Sequence, residues 1–145
     1  MIHRNWYYYH GNKAYLLEQR PYLTQLKNHL LTKIDKKGRE LLDGNRFLDW
    51  PPSDNQQGVK AGLQALMTMT MDCAEELFTI LEDTNMAAKC GDAAKRLRKY
   101  RPAHNNSKQG ASLMALAGLM DAGKANKEVL SAGGSGNFST FYGYY

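Results

Sequence analysis

Cysteine is scarce in this chain. Its 145 residues contain only Cys73 and Cys90, with no Cys-x-x-Cys spacing. That excludes the usual sequence frameworks for a structural metal or a set of disulfides. The two residues read as buried free thiols, packing as small hydrophobes. Long apolar runs are missing too, since none reaches the ~20 residues that a membrane-spanning helix needs, and no membrane partner is expected. Met1 is followed by polar and aromatic residues rather than an apolar run, so no secretory signal is legible. Alternation of strand and helix signals is absent, and so is any repeated unit. His3, His10, His29 and His104 have no ligand spacing. Neither a metal nor a cofactor is expected.

What is present suits a folded helical protein. Hydrophobic residues make up 43% and charged residues 23%, a balance that favours a packed core over disorder. The formal net charge of +5 is modest and does not by itself demand an anionic partner.

Periodicity then divides the chain. Residues 1–10, MIHRNWYYYH, read as the end of a helix, with Gly11 as terminator and Asn12 as the cap of a short stretch, KAYLLEQR. Pro21 is expected to open a new helix, because its missing N–H has no intrahelical partner in a first turn. Leu23, Leu26, Leu30 and Ile34 share one face of that helix. Residues 35–54 read as a long loop, with a small hairpin turning at Asp43-Gly44. A structureless loop of this length usually has a task. The best helix runs from about Gln56 to Leu81, apolar around more than half its circumference. Asp83-Thr84-Asn85 supplies a turn and a cap. Residues 86–100 form a basic amphipathic partner, expected to complete an antiparallel hairpin. After a loop, RPAHNNSK, come a small-residue helix, QGASLMALAGLMDA, a shorter one, KANKEVL, a Gly-rich connector and the start of another helix. The fold class is all-α, built as serial antiparallel helical hairpins.

The ends are rich in aromatics. Trp6, Tyr7, Tyr8 and Tyr9 crowd the first nine residues; Phe138, Phe141, Tyr142, Tyr144 and Tyr145 crowd the last eight. Each such ring buries ~150–250 Å² when packed. Either the two ends pack together or neighbouring helices are missing. The expectation is a single helical segment, 1–145, excised from a larger domain.

Chemistry-bearing candidates are few. In NRFLDWPP, residues 45–52, the Trp50 indole offers a flat apolar face to a pyranose ring, and the Asp49 carboxylate accepts bonds from hydroxyls. The competing reading has Asp49 capping a turn before Pro51 while Trp50 plugs the core. Asp35, Asp43, Asp49 and Asp54 share the loop, but nothing singles out the carboxylate pair that glycoside hydrolysis requires. Glu75, Glu76, Glu82 and Asp83 read as a solvated helix face. KRLRKYR, residues 95–101, reads as a solvated helix end where cations are favourable, so no nucleic-acid partner is expected. SAGGSGN lacks the lysine and the strand–helix setting of a phosphate loop.

In order, HRNWYYYHGN, NRFLDWPP, GVKAGLQALM, SKQGASLMALAGLMDA and SGNFSTFYGYY resemble consecutive blocks of the catalytic domain of bacterial α-L-rhamnosidase-like glycoside hydrolases. The resemblance covers nearly the whole chain, though no block is specific alone. It implies a partial (α/α)6 barrel and a parent that hydrolyses terminal α-L-rhamnosides with inversion, without a cofactor. In that family the general acid precedes the first of these blocks and the general base follows the last, so no catalytic residue is expected here. What carries over is substrate binding: Asp49 and Trp50 near the sugar end of the barrel, and Asn137, Thr140 and Tyr142 in a loop bordering the same cleft. The implied partner is a rhamnose-containing glycan, and the implied location of the parent is periplasmic or extracellular. Exposed barrel-closing faces are expected to promote dimerisation. The alternative is a stand-alone helical module that binds sugar or protein through Trp50 and the terminal aromatics.

Overall fold

Helix α1, Ile2–His10, ends at Gly11, whose φ of 65° closes the turn with an N–H bond to the Tyr7 carbonyl. A computed structural model describes residues 1–134. Within these the chain is all-α and has no strand; one isolated antiparallel bridge joins Ile34 to Glu40. The remaining helices are α2 (Lys13–Thr32), α3 (Gln56–Ile80), α4 (Thr84–Leu97), α5 (Lys108–Leu116) and α6 (Ala122–Ala125), the last running into a π-helical turn, Asn126–Leu130. None of the described helices is long and apolar enough to cross a membrane. Two compact units form, one from residues 1–41 with 67–99, the other from 42–66 with the chain from residue 100 onward.

In the first unit, α2 corrects the expectation of a break at Pro21. Asn12 caps the helix as expected, its side chain accepting the Tyr15 N–H at 3.1 Å. The helix then runs straight through the proline to Thr32. An interior proline costs about 3 kcal/mol. Leu16 and Leu23 flank Pro21 on one face, two turns apart, and both are buried. Each contributes about 1.5–3 kcal/mol by leaving water, so together they offset the lost bond only if the helix is continuous.

The N-terminal aromatics make contacts with this unit, although no residue of α1 is buried. Trp6 stands 4.2 Å from the Tyr15 ring of α2 and 4.8 Å from His10. Tyr8 donates its O–H to Glu76 on α3 at 3.1 Å, and Arg4 bonds the same oxygen at 3.3 Å. Ile2, Tyr8 and Tyr9 stay largely exposed.

Helices α3 and α4 form the expected antiparallel hairpin. Gly91 lies against the Glu75 carboxylate, and Arg98 pairs with Asp72 at 2.6 Å, so the chain rises on one helix as it falls on the other. Asp83 caps α4, accepting the Met86 N–H at 3.0 Å, and takes a second bond from Arg20 of α2, also at 3.0 Å. The core here is Leu16, Leu23, Met67, Met71, Leu77, Phe78, Met86 and Leu97; both cysteines are buried and free.

The tight turn of the long loop is not at Asp43-Gly44. It lies at residues 35–39, under the Ile34–Glu40 bridge. The Asp35 carboxylate organises it, accepting the N–H of Lys37 at 2.9 Å, the N–H of Arg39 at 2.8 Å and the Arg39 guanidinium at 2.6 Å. Gly38 sits at φ 76°, so close to α4 that a Cβ would fall 2.0 Å from the Arg96 carbonyl oxygen. Glycine is required there twice over, by conformation and by space.

In the second unit, Val59, Ala61 and Ala65 of α3 are buried, as are Ala111, Met114, Leu119, Ala125 and Val129. Helix α5 stops at Leu116 rather than running on to Ala122. The Leu119 N–H turns back to the Met114 carbonyl at 2.8 Å, which buries Leu119 and redirects the chain into α6. Asp121 caps α6 through the Lys124 N–H at 2.8 Å.

Candidate functional site

Asp49 and Trp50 fall in the second unit, where a loop and two helix starts converge. Helix α3 begins at Asn55, whose Oδ1 accepts the Gly58 N–H at 2.9 Å, a standard way to satisfy an orphan donor. The rest of the same amide clasps a second loop. Its Nδ2 donates to the Asn105 carbonyl at 2.8 Å, and Asn105 Nδ2 donates back to its Oδ1 at 3.1 Å. Asn105 and Asn106 both hold left-handed backbone, at φ 46° and 57°, a region that asparagine enters more readily than most residues. Ser107 then caps α5, accepting the Gly110 N–H at 3.0 Å. Lys108 is buried, its ammonium bonded to the Gly134 carbonyl.

These pieces border an open groove of about 290 Å³, lined by Pro51, Pro52, Asn55, Asn105, Asn106, Ser107, Lys108 and Gln109. Asp49 and Trp50 stand beside it. Asp49 Oδ1 accepts the Trp50 N–H at 2.9 Å, and its Oδ2 accepts from Gln109 Nε2 at 3.3 Å. The carboxylate is thus both a local turn cap and a tie to α5.

Trp50 does not plug the core. It is 78% exposed, its indole held edge-on by Phe47 at 5.3 Å. The inward side chain of this loop is Leu48, which presses on α3 where Gly62 leaves room; a Cβ there would fall 2.2 Å from Leu48 Cδ2. The indole face is therefore open for an apolar surface to stack on.

The site offers a flat aromatic face, several amides that donate and accept, and one carboxylate. The amides can donate to and accept from hydroxyls, and Lys108 adds a cation to the groove lining. It holds no pair of carboxylates flanking the groove, and no cluster of three metal-ligating side chains forms among the described residues. The other sugar candidates, Asn137, Thr140 and Tyr142, lie outside the described residues.

The groove amides were not legible in the sequence as site residues; RPAHNNSK reads only as a loop. The available signal was the pair of asparagines directly before a serine cap. The basic run is partly consumed by structure: Lys95 pairs with Asp92 at 3.4 Å and Arg98 with Asp72. Tyr100 carries the Lys60 ammonium over its ring at 5.6 Å, beside a smaller groove of about 210 Å³.

No family model, no curated protein and no solved structure matches the chain.

Proposed function

We propose that this chain is the substrate-binding portion of an α-L-rhamnosidase-like glycoside hydrolase, part of an (α/α)6 catalytic barrel. The observation that carries the reading is the exposed Trp50 indole beside a groove lined in part by amides, with Asp49 anchored to Gln109. An indole face beside side chains that bond hydroxyls is the arrangement on which a pyranose ring stacks. The order of the sequence blocks supplies the family, and the series of helices agrees with it.

In the parent reaction a carboxylic acid protonates the leaving oxygen while a carboxylate activates water on the opposite face. The resemblance puts both of those groups outside the blocks that this chain matches. The chain therefore binds the terminal sugar and leaves the chemistry to other parts of the parent. The competing reading is a non-catalytic helical module that binds sugar or protein; its sugar-binding form predicts the same binding, and its protein-binding form predicts none.

Calorimetric titration of the purified chain with L-rhamnose tests the binding claim. Saturable heat that disappears in Trp50→Ala supports it; no heat, or binding unaffected by Trp50→Ala, overturns it. Incubation with an aryl α-L-rhamnoside tests the second claim. No release of the aryl group is expected, and turnover would show that a catalytic pair exists here after all.

A further inference from the structure

The groove beside Trp50 carries a charge that a neutral sugar does not use. Among its described lining residues only Lys108 is ionic; prolines, asparagines, a serine and a glutamine make up the rest, and no carboxylate is among them. Lys108 is the first residue of α5 and is 4% exposed, its ammonium donating to the Gly134 carbonyl. A cation set in a protein wall is screened less than one in open solvent, so an anion in the groove feels it strongly.

The nearest carboxylate described lies on another side. Asp49 is not a lining residue, and it is held by Gln109, whose Nε2 donates to its Oδ2 at 3.3 Å. Lys108 and Gln109 are consecutive on α5, so their side chains leave the helix about 100° apart. One reaches towards the Asp49 loop and the other towards Gly134. The site is therefore bipolar, with an indole and a carboxylate on one side and an ammonium on the other. Trp50 is not a lining residue either, so a pyranose stacked on its indole does not fill the groove. The groove volume of about 290 Å³ is at the lower edge of the ~300–1,000 Å³ that small-molecule sites span, which suits one further sugar unit.

We propose that the groove is a second sugar position selective for an acidic unit, a uronate whose carboxylate pairs with Lys108 while its hydroxyls bond the groove amides. This rests on the sugar reading of Trp50. The glycan recognised then has a neutral terminal sugar on the indole, linked to a uronate in the groove.

Calorimetric titration of the full chain with D-galacturonate and with D-galactose tests this, because the two differ only in carrying a carboxylate or a hydroxymethyl group. At low salt the uronate should bind on the order of tenfold more tightly, and added salt should shrink the difference. Lys108→Met, which keeps the buried methylenes, should abolish the preference. Asn106→Asp places a carboxylate in the groove on a residue type that tolerates the same backbone, and it should reduce the preference several-fold; it decides the matter if circular dichroism shows Lys108→Met unfolded. Equal affinity for the two sugars, no binding of the uronate, or a preference that survives in folded Lys108→Met or unchanged in Asn106→Asp would overturn the proposal. So would acetate binding as tightly as the uronate, which would make the groove a site for any small anion. Failure here with L-rhamnose still bound through Trp50 would refute the acidic position alone. Uronate binding without rhamnose binding would refute the reading of Trp50 instead.

Discussion

Replacing Gly38 with alanine puts two separable penalties on one residue. The first is conformational. At φ 76° an L-residue brings its Cβ towards a carbonyl, which costs about 1–2 kcal/mol. The second is steric. The new Cβ would fall 2.0 Å from the Arg96 oxygen, 2.6 Å from the Arg96 carbonyl carbon and 3.2 Å from the Leu97 nitrogen. These are backbone atoms of α4 and cannot rotate away, so the turn must lift off the helix by about an ångström. Three bonds to the Asp35 carboxylate resist that movement. Overpacking of this kind costs about 1–3 kcal/mol, for a total of roughly 2–5 kcal/mol. Gly11→Ala in the same unit is the control. Gly11 has φ 65° with nothing within 4 Å of its would-be Cβ, so it carries only the first penalty. Urea unfolding followed through Trp6 fluorescence, in a Trp50→Phe background, reports on this unit. Gly38→Ala should lose more stability than Gly11→Ala by about 1–3 kcal/mol. Equal losses would refute the close seating of the 35–39 turn on α4.

Lys27→Met should stabilise the first unit by about 1–3 kcal/mol, because the methylenes stay buried while a desolvated charge with no ion-pair partner among the described residues is removed; a destabilised variant by urea unfolding would contradict this. The same variant tests a pH dependence. Lys27 is lowered below 10.5, so between its folded value and 10.5 the unfolded chain holds more protons, and this group makes stability rise with pH. Cys90 is raised above 9.0 and acts in the opposite sense as pH climbs past that value. Alkaline thermal melts of Lys27→Met should keep only the falling part. At the acid end, the Arg39 N–H beside Asp35 and the Met86 N–H beside Asp83 hold both carboxyls below 3.8. Their contribution is present above 3.8 and lost as pH falls through the lower folded values, so Asp35→Asn and Asp83→Asn should flatten the acid limb of a melting profile. Asn55→Ala should cost about 1–2 kcal/mol by removing the α3 cap and should weaken sugar binding by releasing the Asn105 loop. Unchanged melting and affinity would show that the amide clasp is incidental.

Local rules carried the helix signals well. The Asn12 cap, the extent of α3, the Asp83 cap and the burial of both thiols were legible because each depends on neighbours within a turn or on plain hydrophobicity. The failures share a physical origin in long-range packing. Pro21 signals a helix start, but Leu16 and Leu23 must be buried on one continuous face, and that outweighs a missing bond. Asp43-Gly44 has the composition of a tight turn, yet Asp35 makes a better one, because its carboxylate reaches two backbone donors and Gly38 alone fits against Arg96. Trp50 and Leu48 could each have faced inward; the space left by Gly62 on α3 selects the leucine. The burial of Lys27 has no local signature. It follows from how α2 meets α3 and α4. At the site, Asp49 and Trp50 were readable as a pair, while the groove amides depend on a clasp between residues fifty positions apart.

The two tryptophans make the sugar claim directly measurable. The chain has two indole N–H groups, Trp6 packed against Tyr15 and Trp50 exposed beside the groove. A ¹H–¹⁵N correlation spectrum recorded while L-rhamnose is titrated resolves them as separate signals. The account predicts a saturable shift of the Trp50 signal, with the Trp6 signal unmoved and a sugar of different stereochemistry giving a weaker response. A spectrum in which Trp50 does not move at saturating sugar, or in which only Trp6 moves, would contradict it.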